Sequence, residues 1–322
     1  MKSTRSLAVG VAFAASLLAT APVMAQDWPV RPITIIVPAG AGGGTDATAR
    51  LLAQGLEREL GQAVNVVNQG QGGGVVGFTS ITTAVPDGYT LGVIYNFAHY
   101  SPMGQGDFDA EDMTPIGQFN FDPAGFHVRA DSEWTNISQA LDAIKTDPGV
   151  YDFACGGGCG GSWPLAFASL LDAYDIDLSQ VRMISGQGAA AALQELVAGG
   201  FDVVPSSVPE AGALIEAGLV RGLAVFGRER LAAFPDIPTL EEETGMVLEL
   251  GAWRGLVGPT GLPQDVIEKL TAALTVVYND LEFQAAMTGR GFGLRWRDAD
   301  EFGTFMADQE TSVRDLIGVM GL

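Results

Sequence analysis

The chain has 322 residues, enough for about two domains, and its 47% hydrophobic and 17% charged composition supplies a core and excludes disordered and collagen-like classes. Acidic residues outnumber basic ones 38 to 17, a formal charge of −21 that repels phosphate backbones and argues against nucleic-acid binding. Two His and two Cys are too few for most all-protein metal cages and for much histidine chemistry, so no metal or cofactor is expected.

The first 25 residues read as an address. Lys2 and Arg5 open it, an apolar stretch runs from Leu7 to about Ala21, and Pro22-Val23-Met24-Ala25 ends small. This pattern predicts a signal peptide cleaved after Ala25, hence a periplasmic protein. An N-terminal anchor is the alternative, disfavoured by the short apolar run. Cleavage removes Lys2 and Arg5 and takes the charge from −21 to −23, with Lys145 and Lys269 as the remaining lysines. Such self-repulsion is relieved by salt, because the Debye length shrinks from about 10 Å at 0.1 M to about 3 Å at 1 M. The melting temperature should therefore rise from low to molar NaCl; a flat or falling curve rejects this expectation.

The rest alternates strand and helix. Pro32-Ile33-Thr34-Ile35-Ile36-Val37 fits a buried parallel strand. Thr45 and Asp46 follow a glycine-rich turn, and Ala49, Leu52, Ala53, Leu56 and Leu60 form a helical stripe ending near Gly61. Strands are predicted at 64–67, 89–95, 126–128, 151–154, 182–184, 202–204, 222–226 and 253–257. Helices are predicted at 136–145, 164–173, 189–198, 210–217 and 263–278. A last helix opens at Asp298 with Glu301 three residues on, a capping-box pattern. The fold class is α/β with mainly parallel sheets flanked by helices.

In such folds ligands sit at the carboxyl ends of strands. Three glycine-rich loops qualify: 40–44, 70–74 and 156–161. The first is not a dinucleotide fingerprint, because Thr45 replaces the third glycine and Asn68 stands where an acid should end the second strand. It has no following Lys, so it is not a P-loop either. Two readings stay open. The glycines simply allow a tight turn, or their bare N–H groups at a helix N-terminus attract a carboxylate or similar anion.

The motifs, taken in order, resemble a known family. They are Trp28-Pro29-Val30-Arg31-Pro32-Ile33, then Ile36-Val37-Pro38-Ala39-Gly40-Ala41-Gly42-Gly43-Gly44-Thr45-Asp46, Leu60-Gly61-Gln62-Ala63-Val64 and Pro86-Asp87-Gly88-Tyr89-Thr90-Leu91. Gly199-Gly200-Phe201-Asp202-Val203 precedes Ser207 and Pro209, Phe234-Pro235-Asp236-Ile237-Pro238-Thr239 follows Arg228 and Arg230, and Trp253-Arg254-Gly255-Leu256 comes later. Together they are similar to the extracytoplasmic solute receptors of tripartite tricarboxylate transporters, the Bug receptors. The resemblance implies a two-lobed, flytrap-like type II periplasmic binding protein that performs no chemistry. Lobe one would hold 26–120 and 226–322, and lobe two 121–225. A small organic anion, a carboxylate, would sit between them, for delivery to the transporter's membrane subunits by a monomeric receptor.

Implied ligand residues are Ala39, Gly40, Ala41, Gly42, Thr45, Asp46, Tyr95 and Asn96 from lobe one, and Gly160, Gly161, Ser162, Gly188 and Ser207 from lobe two. The second-lobe loop departs from the family pattern. It reads Cys155-Gly156-Gly157-Gly158-Cys159-Gly160-Gly161-Ser162, so no member's ligand preference transfers. In an oxidising compartment Cys155 and Cys159 can form a disulfide; zinc is the weaker alternative, with two ligands too few. Asp46 serves as a ligand or water contact or, more simply, caps its helix. Trp163, Tyr95 and Phe97 wall the ligand or pack in the core. Arg254 pairs with a carboxylate or is structural. The acidic triplet at 241–243 reads as solvated surface. Two other classes compete. A secreted enzyme lacks any G-x-S-x-G or H-E-x-x-H support; a ligand sensor for a membrane kinase is not separable from a transport receptor by this sequence.

Overall fold

The structure, a computed structural model, describes residues 28–156, 159–186 and 189–320. The expected leader at 1–25 and Gly188 lie outside the described residues.

The first sheet begins with β1 (Ile33–Val37), whose β-branched run pairs in parallel with β2 (Val64–Asn68) on one side and β3 (Thr90–Ile94) on the other. Helix α1 (Gly44–Leu60) joins β1 to β2 and stops at Gly61, whose left-handed φ of 65° lets its N–H reach the Glu57 carbonyl. Helix α2 (Val75–Thr82) joins β2 to β3. The period of two sorts the strand: Ile33, Ile35 and Val37 pack with Leu52 and Leu56 of α1, while Ile36 packs with Phe78 of α2 on the opposite face.

Strand β4 (Met113–Arg129) runs for 17 residues and belongs to two bodies. Its first part, to Pro123, pairs antiparallel with β9 (Gly251–Pro259); its last part, from Ala124, lies between β7 (Val204–Ser207) and β8 (Val220–Val225). The first sheet reads β2-β1-β3-β9-β4-β10, with β10 at Leu294–Arg297. Between these crossings lie α3 (Ile137–Thr146), β5 (Asp152–Gly156), α4 (Ser162–Ala173), β6 (Arg182–Gly186), α5 (Ala189–Ala198) and α6 (Val208–Glu216). Strands β5 and β6 pair in parallel. The parallel pairs are those that strand–helix alternation predicts; the antiparallel ones all involve the chain passing between the bodies or returning from them.

The packing moves one expected boundary. The sequence reading returns the chain to the first lobe at 226, but Phe226, Leu240 of α7 (Leu240–Thr244) and Leu250 pack in the core built on Phe126, Phe153 and Phe167. The return falls at Leu250–Gly251, where the Ala124 N–H donates to the Leu250 carbonyl at 2.9 Å. The apolar residues after β8 continue the second core. Helices α8 (Gln264–Asn279) and α9 (Leu281–Thr288) complete the first body. Helix α10 (Ala299–Met320) braces both: Phe302 and Met306 lie in the first core, Val313, Leu316 and Ile317 in the second. Among the described residues no helix is long and apolar enough to cross a membrane.

Candidate functional site

A cavity of about 420 Å³ opens between the two bodies. Three helices begin at its wall: α1 with Gly44 and Thr45, α4 with Ser162 and Trp163, and α6 with Pro209 and Glu210 just after Ser207. The residues preceding α1 and α4 are Gly43 and Gly161, neither of which supplies a side-chain cap. The first N–H groups of those helices are therefore left without a capping side chain, and each helix end carries roughly half a positive charge. That arrangement suits an anion.

Two arginines add to it. Arg254, on β9, is 8% exposed and ion-pairs with the buried Asp122 of β4. Its Nε donates to the Thr45 hydroxyl at 3.3 Å, and its guanidinium lies 5.6 Å from the Phe292 ring centre. Asp122 also accepts from Asn120 Nδ2 at 3.0 Å and from the Gly293 N–H at 2.8 Å. One buried pair thus ties β4, β9, α1 and the 289–293 loop together at the crossing. Arg290, on that loop, is exposed and lines the cavity; among the described residues its side chain has no hydrogen bond or ion pair.

Glu210 brings the opposite sign. Its Oε2 accepts from the Ser207 N–H at 3.0 Å and from the Ser207 hydroxyl at 3.1 Å. Glu210 is exposed at the cavity, yet the protein packed around its carboxyl raises its pKa; the Ser207 donors and Arg254 pull the other way without cancelling this.

Of the residues singled out in the sequence, Thr45, Tyr95, Ser162 and Ser207 line this cavity, as does Trp163. The others fall elsewhere. Ala39 turns its carbonyl to Asn68 Nδ2 at 3.2 Å, and Gly40, Ala41 and Gly42 are exposed outside the wall. Gly42 takes a left-handed φ of 83°, which aims its N–H at Asp46 Oδ2, 2.8 Å away. Asp46 is buried and pairs with Arg50 at 2.9 Å. Burial alone would raise its pKa, but bonds from Arg50, the Gly42 N–H and Asn68 prevail and hold it below the ordinary carboxylate value. It organises the loop rather than facing the cavity. Tyr95 offers its ring to the wall, since its hydroxyl donates to the Pro38 carbonyl at 2.8 Å. Asn96 lines a separate cavity of about 270 Å³ behind Ser162, and Phe97 packs in the core against Trp253.

Gly160 and Gly161 line a third space of about 220 Å³, facing Tyr95, His99, Tyr100 and Met103 of the first body. His99 is 7% exposed, and burial lowers its pKa to about 4, so it is neutral at neutral pH. His127 is likewise buried, its pKa lowered to about 4, with Nδ1 3.0 Å from the Val204 carbonyl. Cys155 and Cys159 are joined as a disulfide, their Cα atoms 4.8 Å apart, at the base of the loop carrying Gly160. Thiol titration of denatured, unreduced protein should find no free thiol; two titratable thiols would refute the bond.

Sequence reasoning missed Asp122, Glu210, Arg290 and Phe292. It located cationic donors by asking what stood in the two glycine-rich loops, and neither loop contains Arg or Lys. The arginines reach the cavity from a strand and from a loop more than 200 positions downstream of Thr45. Glu210, three residues after Ser207, is legible in retrospect as the partner of a capping box.

Comparison with known proteins agrees with this architecture. Residues 48–322 match the model of the tripartite tricarboxylate transporter family receptor. A curated relative from Pseudomonas sp. strain P51, described as a UPF0065 protein in the tcbD-tcbE intergenic region, is 32% identical over 277 residues, covering 84% of this chain and 80% of its own. The structure of a TctC solute binding protein from Polaromonas, without ligand, superposes with a TM-score of 0.77 at 31% identity, covering 90% of this chain and 99% of that one. MatC from Rhodopseudomonas palustris, solved with bound malate, gives a TM-score of 0.73 at 25% identity, covering 90% of this chain and all of that one. The chain belongs to the receptor family of the tripartite tricarboxylate transporters, the solute-binding proteins of these systems.

Proposed function

We propose that this receptor binds a small organic carboxylate in the cavity between its two bodies, in the periplasm, and hands it to the membrane subunits of a tripartite transporter. The observation that carries the reading is the convergence of the uncapped starts of α1 and α4 on one cavity that also holds Arg254 and Arg290. Malate bound to MatC and the family assignment support it. The disulfide fits an oxidising compartment, and the leader expected at 1–25 would supply the route there.

The chain's overall negative charge opposes anion approach at long range, but that field is screened beyond about 8 Å in physiological salt. Inside the cavity, local donors decide. Charge-assisted hydrogen bonds contribute about 1.5–3 kcal/mol each, so three or four support micromolar binding after ordering costs. A thermal-shift screen of mono- and dicarboxylates against neutral sugars and organic cations tests the proposal. A bound acid at 100 times its Kd should add about 2.7 kcal/mol of stability. Stabilisation by sugars or cations alone would defeat it.

A further inference from the structure

We infer that Glu210 selects, among small acids whose carboxylate Arg290 anchors, those that carry a hydrogen-bond donor, a hydroxyl or an ammonium, beside the carboxylate. This rests on the carboxylate reading above and narrows it to hydroxy and amino acids over plain mono- or dicarboxylates of equal length.

The argument is an inventory of what the cavity wall leaves unfilled. Most of its polar groups donate: the starts of α1 and α4, the Ser162 hydroxyl and the two guanidiniums. Arg254 is already matched by Asp122. Asp122 is occupied in turn: Arg254 holds one oxygen, and Asn120 and Gly293 hold the other. Arg290 is the unmatched cation. Among the described residues, Glu210 Oε1 accepts no hydrogen bond, since both Ser207 donors go to Oε2. The wall therefore presents one unfilled cation and one unfilled carboxylate oxygen.

The two groups sit on opposite bodies at a point where the bodies touch. Glu210 follows Pro209 at the start of α6, and Arg290 precedes Gly291. A Cβ built on Gly291 would lie 2.9 Å from Pro209 Cβ. A ligand bridging them joins the two bodies with a carboxylate on Arg290 and a donor on Glu210. A plain dicarboxylate sets its second carboxylate against the Glu210 carboxylate or leaves Oε1 unpaired. Either arrangement weakens binding, because Oε1, open to water in the empty cavity, loses that water under the ligand without gaining a donor in return.

Calorimetry on the purified chain with matched acids provides the test: succinate, malate and aspartate for four carbons, and propionate, lactate and alanine for three. The donor-bearing acid of a set should bind at least about tenfold tighter than its plain partner. Comparing malate with aspartate, and lactate with alanine, separates hydroxyl from ammonium. Glu210→Gln keeps the length needed to accept from Ser207 but loses the charge. It should tighten succinate binding and cut the aspartate-to-succinate preference to within about threefold. Neither change follows from a purely structural loss. Arg290→Gln should weaken malate and succinate alike, by about tenfold, with their ratio preserved. Wild-type protein that binds the acids without preference for the donor-bearing ones, or a preference unchanged in Glu210→Gln, would overturn the inference while leaving the carboxylate reading standing. Binding of none of the acids would overturn both.

Discussion

Replacing Arg254 by alanine is expected to cost about 3–5 kcal/mol of stability, the range for breaking a buried ion pair by removing one partner. Arg254 is 8% exposed and Asp122 5%, so the carboxylate left behind cannot recover its charge partner from water. The bonds from Asn120 and Gly293 to Asp122 survive the change and keep the cost from exceeding that range. Urea unfolding of the two proteins measures it, and a difference below about 1 kcal/mol would contradict the pair's assigned weight. Adding Asp122→Asn to the alanine variant should restore part of the loss, since the stranded charge is then gone. Ligand affinity should fall along with stability, because Arg254 also fixes the Thr45 hydroxyl at the start of α1.

Gly160→Val should lower carboxylate affinity by at least about 100-fold, or about 2.7 kcal/mol, while leaving the fold intact. A Cβ at Gly160 would lie 2.7 Å from His99 Cδ2 and 2.8 Å from Met103 Sδ. Met103 can bend away, but His99 is held by burial and by its ring contact with Tyr100. The added side chain pushes the disulfide loop off the first body and with it the start of α4. Gly160 belongs to neither hydrophobic core, so melting of the ligand-free protein should change by only a few degrees. Unchanged affinity would show that the bodies close without this contact. Gly42→Val differs in cause: nothing lies within 4 Å of a Cβ there, and its cost is the left-handed φ of 83° alone. It should strain the Asp46 turn by about 1–2 kcal/mol and reduce affinity less than Gly160→Val does.

Most of the longer helices and the parallel strands were legible because their patterns are local, whereas the short α2, α7 and α9 were not predicted. Leu52 and Leu56 four apart, or the β-branched run at Ile33–Val37, announce their partners' faces without knowledge of what lies across the core. Strand β4 was legible only at its end. Its first part contains Pro115, Gly117, Asn120, Asp122 and Pro123, residue types depleted in strands. Tertiary context overrides that preference here: Gln118, Asn120 and Asp122 are buried and spend their polar groups on one another, Arg254 and the Gly293 carbonyl. The site divided the same way. Thr45, Ser162 and Ser207 stand where a strand leads into a helix, a signal written in neighbouring residues. Arg290 enters the cavity by the course of a chain segment that no local pattern reports.

The placement of β4 also sets an order on folding. Its partners in the first body begin at Gly251 and in the second at Val204, and the hydrogen bond between Arg254 and Asn120 spans 134 positions. A chain emerging from its N-terminus can form β1, α1, β2 and β3 early, but the first part of β4 stays unpaired on both flanks until β9 and β10 arrive in the last quarter. Neither body is then a unit that can finish alone, in contrast to chains whose first domain folds while the next is being made. Contacts of this sequence separation also slow the final step. The first sheet therefore stays incomplete until nearly the whole chain has been made, a condition under which the chain is more easily unfolded and threaded through a narrow channel than a finished domain.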